Sequence, residues 1–179
     1  YLRQWEARYP EIFTAEQARA HRAALTALTA AAPVTLSVQA EADGTVACTV
    51  IAFDYPALFS LITGLLGAAG FDILAGEVFT SLPPAEARPR RAPRPAWPAR
   101  PEPRRRTIID HFRGRCAGVD AGGPWGADLL GRLRQVVDLL ERGGAEGALR
   151  ARHLVYAEVA RRMAALQARG EAVLYPVEI

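Results

Sequence analysis

The sequence predicts an α+β domain. Its expected core is an antiparallel sheet built in the order βαββαβ with helices on one face, plus a helix at the N-terminus and an extra helix before the last strand. Three observations carry this. Apolar residues recur at alternating spacing in some stretches and at helical spacing in others. Two β-rich runs in VTLSVQAEADGTVACTVIAF flank Asp43-Gly44, a strong hairpin signal. The seventeen uncharged residues between Asp54 and Asp72 carry one apolar stripe at helical spacing.

Thr14-Ala15-Glu16-Gln17 is a capping box, so a helix is expected from there to about Ala31, ended by Pro33. Before it, Trp5, Tyr9, Ile12 and Phe13 predict a short helix or hooked segment that packs by its aromatic rings. After the hairpin, Pro56 fits the first turn of a helix, and Leu58, Leu61, Ile62, Leu65, Leu66 and Ala69 form its buried stripe up to Gly70. A bilayer span needs about 20 apolar residues; this helix is shorter, contains Ser60, Thr63, Gly64 and Gly67, and sits between strands. It is read as a core helix. Strands follow at 73–80 and 107–113, then amphipathic helices at 127–141 and about 149–168 separated by Gly143-Gly144, and a final strand at 173–179. Both faces of the 46–53 strand are apolar, with Val46, Cys48 and Val50 on one and Ile51 and Phe53 on the other. A small antiparallel sheet normally leaves one face to water. The second face therefore needs a cover: the N-terminal helix, the last helix or a partner domain.

All 22 basic residues are arginine. Eight of them, with eight prolines and only two acids, fall between Pro83 and Arg106, a stretch of charge +6 in a chain of net charge +3. Proline fixes φ and removes donors, so 83–106 reads as a disordered insertion in a domain spanning 33–179, with 1–32 as a linker helix. Eight arginines with Trp97 have the chemistry to neutralise phosphates and stack on a base. A solvated insertion explains the same composition with fewer assumptions, and nucleic acid is disfavoured as a partner. Without an opening Met or a basic-then-apolar leader, the chain reads as a cytoplasmic fragment of something longer, with no membrane partner. Cys48 and Cys116 form no metal-ligand pair, and Cys48 in an apolar strand reads as a core side chain. His111 and Cys116 offer a weak metal spacing without further ligands; no metal or cofactor is expected. His21 and His153 read as ordinary helix residues. No paired aspartates after Gly-Ser and no His-Asp dyad occur (Asp110-His111 has the reverse order), so catalysis by this chain is not expected.

The run F-D-Y-P-A-L-F-x₅-L-L-G-A-A-G-F-D-I-L-x-x-E-V-F-T resembles the ACT domain, a ferredoxin-like module that binds amino acids and regulates attached enzymes. More narrowly it is similar to the first ACT domain of the bacterial PII uridylyltransferase/uridylyl-removing enzyme. Asp54, Pro56, Leu58, Phe59, Gly70 and Ile73 match that family's pattern. TAEQARAHRAAL resembles the helix leading into the domain, and VLYPVEI the entry to a second ACT domain. The likeness is close over roughly 14–80, loose over 108–140 and absent from the arginine-proline stretch. The chain departs from the pattern at Tyr55 (usually Arg), Ala57 (usually Gly) and Asp72 (usually Asn).

The resemblance implies a regulatory, non-catalytic domain whose effector is glutamine, with a second ACT domain or an ACT dimer as partner. It also implies that PII protein is met through the full-length enzyme, whose catalytic domains precede Tyr1. The implied effector site is Asp54, Tyr55, Pro56, Ala57, Leu58, Phe59, Asp72 and Ile73. Its physical basis is a helix N-terminus, whose N–H groups seat a carboxylate, beside an Asp54 carboxylate that takes an ammonium. Asp54 reads equally well as a helix cap, whereas for Asp72 a solvated turn residue is the favoured reading; when ionised, Asp72 only accepts. Two alternatives stand: an ACT domain of another amino-acid-regulated enzyme, or an interaction module using the arginine-proline arm.

Overall fold

The computed structural model describes residues 8–81, 105–116 and 123–170. In chain order it contains α1 (Tyr9–Ile12), α2 (Ala15–Ala27), β1 (Val34–Ala40), β2 (Val46–Phe53), α3 (Leu58–Ala68), β3 (Phe71–Ser81), β4 (Thr107–Cys116), α4 (Pro124–Arg142) and α5 (Gly144–Ala168). The four strands make one open antiparallel sheet in the order β1-β2-β4-β3. This α+β arrangement is compatible with a ferredoxin-like fold. In it β2, α3 and β3 form a crossover unit with β4 inserted between the two strands.

The fourth strand of the described sheet is the first arm of the expected hairpin. Val34–Ala40 pairs with β2 along its whole length, from Val34 opposite Ala52 to Ala40 opposite Val46, and β4 takes the other edge. β2 therefore has no edge left for 173–179, which lies outside the described residues. The hairpin wins that place because its closure is local and costs little chain entropy. Its turn is built as the sequence suggests: Gly44 has φ 80°, and Asp43 Oδ1 accepts from the Thr45 N–H at 3.0 Å and its hydroxyl at 2.6 Å.

The capping box at Thr14 forms, with Gln17 N–H donating to Thr14 Oγ1 at 3.2 Å and Thr14 N–H to Gln17 Oε1 at 2.9 Å. α2 ends four residues before Ala31. Thr29 and Ala32 exchange backbone hydrogen bonds, and Thr29 Oγ1 also accepts from Ala32, a side-chain bond that competes with helix.

Two apolar clusters occupy the two faces of the sheet. On one, Leu61, Ile62, Leu65 and Leu66 of α3 and Leu129, Leu133, Val136 and Val137 of α4 pack with Cys48, Val50, Ile108 and Phe112. α5 joins this side through Ala151 and Val155. On the other face Tyr9, Phe13, Ile51, Phe79 and Ile109 are buried, with Ala18, Ala24, Leu25 and Leu28 of the N-terminal segment packed on them. Of the covers the sequence allows, the N-terminal helix is the one found. Phe53, expected beside Ile51, instead packs against the first cluster at the strand end.

α4 and α5 meet at a corner where Gly143 serves both helices and Gly144 has φ 53°. A Cβ on Gly147 would lie 2.1 Å from the Leu139 carbonyl oxygen, so this corner admits only glycine there. β3 is an outer strand with Ile73, Leu74 and Val78 exposed. Among the described residues no helix is long and apolar enough to cross a membrane.

Candidate functional site

β2 delivers the chain to a turn that the sequence places inside the helix. Instead, Leu58 N–H donates to the Tyr55 carbonyl at 3.1 Å, and Ala57 is left-handed with φ 64° and ψ 9°. Proline second and a left-handed residue third is the pattern of a type II turn. Pro56 thus shapes the turn rather than the first turn of α3. Ala57 is the N-cap and makes no side-chain cap, and Asp54 sits three residues before it. The N–H groups of Phe59 and Ser60 open α3 without an intrahelical acceptor.

Here lies a cleft of about 270 Å³ lined by Asp54 to Phe59 on one side and by Val78, Thr80, Ile108 and Asp110 on the other. Six of the eight expected site residues (Asp54, Tyr55, Pro56, Ala57, Leu58 and Phe59) are therefore together. Asp72 and Ile73 are not. Asp72 pairs with Arg115 whereas Thr80 pairs with Ile108, so Asp72 sits at the opposite end of β3. The facing stretch of β4, from Ile108 to Arg115, spans seven positions, so at about 3.4 Å each the two lie roughly 24 Å apart. α3 runs the length of the sheet between Asp54 and Asp72, and nearness in sequence to both helix ends is not nearness in space.

Asp110 is the residue the pattern of motifs does not single out. It is fully buried, on the helix-covered face of β4 between Ile108 and Phe112, and among the described residues neither carboxylate oxygen has a hydrogen-bond partner. Burial, with the charge of Asp54 adding to it, pushes its carboxyl up to about 7. A signal was available in TIIDHF, because strict alternation puts Asp110 on the same face as two core residues.

Tyr55 turns its ring under the turn. Its hydroxyl donates to Glu141 Oε2 at 2.5 Å, and Arg105 Nη1 reaches both Glu141 oxygens at 2.6 and 2.7 Å. The Arg105 guanidinium also lies 4.4 Å from the Phe53 ring centre and 4.9 Å from that of Tyr55. Burial and the Glu141 contact push the Tyr55 hydroxyl up to about 12, while Tyr55 and Arg105 hold Glu141 below the usual carboxylate range. This knot ties the turn to the end of α4 and the start of β4. It also corrects the boundary of the arginine-proline stretch. Arg105 is part of the fold, and the Arg106 carbonyl accepts from the Asp54 N–H at 2.9 Å. Residues 83–104, including Trp97, lie outside the described residues, as does Trp5.

Across the sheet, Tyr9 and His21 share a 2.8 Å hydrogen bond within a cluster of rings that includes Phe13, Phe79 and His111, and His111 Nδ1 bonds Thr49 Oγ1 at 2.9 Å. Burial lowers His21 to about 4. His21 lies in α2, as expected, and is a buried residue of the N-terminal cover. His111 and Cys116 are five apart in a strand and face opposite sides. Among the described residues no group of three metal-ligating side chains occurs. Cys48 is fully buried, as its apolar strand suggests.

No protein-family model, curated protein or solved structure matches the chain.

Proposed function

We propose that this chain is a regulatory ACT domain that senses an amino acid, glutamine by its resemblance to PII uridylyltransferases, and relays occupancy to enzymatic domains elsewhere in a longer protein. The observation that carries the reading is the cleft at the start of α3, where helix N–H groups and the Asp54 carboxylate stand side by side. An α-amino acid is a carboxylate and an ammonium on one carbon. The helix end suits the first and Asp54 the second.

Two further features support it. The backbone at Ala57 takes a conformation natural to glycine, the residue this family has there. Among the described residues β3 has an unpaired edge, with Ile73, Leu74 and Val78 exposed and Phe59 beside it. Antiparallel pairing of that edge with a second ACT domain would bring the partner's counterpart of the Asp72 end over the cleft, completing the residue set that one chain leaves split. Effector binding would then shift the population of domain pairs through its different affinity for each arrangement.

The test is calorimetric titration of L-glutamine, and in parallel the other amino acids, into this chain and into one extended through the following domain. Saturable binding to the extended chain is expected. Absence of binding by every amino acid in both would overturn the reading.

A further inference from the structure

We propose that Asp110 forms the floor of the cleft's ligand site and receives a primary ammonium group, which enters between the Asp54 turn and β3. The proposal deepens the amino-acid-sensing reading and rests on it for the identity of the ligand, though not for the chemistry of the site.

Asp110 is a buried acid that has no partner among the described residues. A carboxyl group taken out of water is stabilised by donors or stays neutral. Asp110 has no donor among the described residues: both oxygens are inaccessible and unbonded. The cross-strand neighbours on its level are Val50 of β2 and Val78 of β3, which carry no polar side-chain atom. His111 and Glu77 point to the opposite face, where His111 meets Phe13 and Glu77 meets Arg8. The Tyr55 hydroxyl and Arg105 are committed to Glu141. Among the described residues the other charged group lining the cleft is Asp54, of the same sign. Those residues place two carboxyl groups together with no cation between them, a site that lacks one positive charge.

The shape of the cleft says which cation. Its walls are Pro56, Phe59, Val78 and Ile108, and the room is about 270 Å³. That suits an ammonium on a short carbon stem better than a calcium ion stripped of its waters, for which two carboxylates offer too few oxygen ligands. Phe59 and Val78 are exposed at the mouth, and on this reading their side chains move aside to uncover Asp110. The entering ammonium supplies the missing donors, and Asp110 gives up its proton to solvent as it binds. An amino acid held this way points its amine inward, shared between Asp110 and Asp54, and its carboxylate at the Phe59 and Ser60 N–H groups.

The experiment follows the Asp110 carboxyl by carbon-13 NMR in the 179-residue chain labelled at aspartate, with Asp110→Asn supplying the assignment. The pH titration is run alone, with propylammonium chloride in tens of millimolar, and with tetramethylammonium chloride at equal concentration. Propylammonium is expected to lower the Asp110 midpoint by a unit or more. Tetramethylammonium, which cannot donate, is expected to leave it unchanged. Equal midpoints in all three overturn the proposal whether or not glutamine binds, and equal shifts by both cations overturn it in favour of simple screening. A further arm uses L-glutamine and its deaminated analogue. Glutamine binding that strengthens up to tenfold per pH unit between pH 5 and 7, lost in Asp110→Asn, supports the proposal. Glutamine binding with the same affinity and pH profile in Asp110→Asn overturns it while leaving amino-acid sensing intact.

Discussion

Ala57 and Asp110 each hold a state that an isolated residue avoids. A non-glycine residue in the left-handed region costs about 1–2 kcal/mol, part of which glycine recovers only by losing more freedom on folding. Ala57→Gly is therefore expected to raise stability by about 0.5–1 kcal/mol in urea unfolding; a loss would mean that the methyl group packs usefully in the turn. Asp110 and His21 set opposite pH dependences. With its carboxyl raised to about 7, folded Asp110 keeps a proton that the unfolded chain has lost from about pH 4 upward, so its contribution falls as pH rises to 7 and is level beyond. His21, lowered to about 4, lacks a proton that the unfolded chain holds, so its contribution is complete above about pH 6.5 and is lost on the way down to 4. His111, also lowered, acts in the same direction as His21. Asp110→Asn removes only the first effect. The stability of the variant relative to the native chain should grow by at most roughly 1.4 kcal/mol per pH unit between pH 4 and 7 and then stay constant. A difference that does not vary with pH would show that Asp110 titrates normally.

At the scale of elements, α3 meets two demands at once, because it lies close to α5 while its start borders the cleft. Gly64 makes the approach possible: a Cβ there would sit 2.6 Å from Val155 Cγ1. Gly64→Ala should destabilise by about 1–3 kcal/mol, and Val155→Ala in the same chain should return part of the loss. Thermal unfolding of the two single variants and the double variant checks this, and strictly additive losses would contradict it. The sequence shows why α3 is legible and its start is not. The stripe of Leu61, Ile62, Leu65 and Leu66 repeats often enough to mark a buried helix, whereas the start depends on one dihedral at Ala57 that no periodicity records. The Thr14 capping box and the Asp43-Gly44 turn were likewise readable, because each is a local interaction between near neighbours. The Arg105–Glu141–Tyr55 knot joins residues far apart in the chain, and its members look like ordinary surface and turn residues until the fold unites them.

At the scale of the molecule, alternation in β2 showed that both sheet faces are covered, and Tyr9 and Phe13 fill the second. Alternation could not show which strand takes the outer edge of β2. That choice depends on the relative cost of local and distant pairing, and the hairpin supplies β1. It also could not divide the eight expected site residues between two ends of the sheet, since the separation of Asp72 from Asp54 is set by the length of α3. The arrangement leaves one end of the molecule with a cleft that carries a helix N-terminus, an exposed acid and a buried acid. The central claim is that this cleft holds an amino acid by its charges, and calorimetric comparison of the native extended chain with its Asp54→Ala variant tests it most directly. Loss of a charged hydrogen bond should weaken L-glutamine by about 1.5–3 kcal/mol, roughly ten- to a hundred-fold in Kd. Equal affinity in the two chains, or no saturable binding of any amino acid by the native one, would contradict the account.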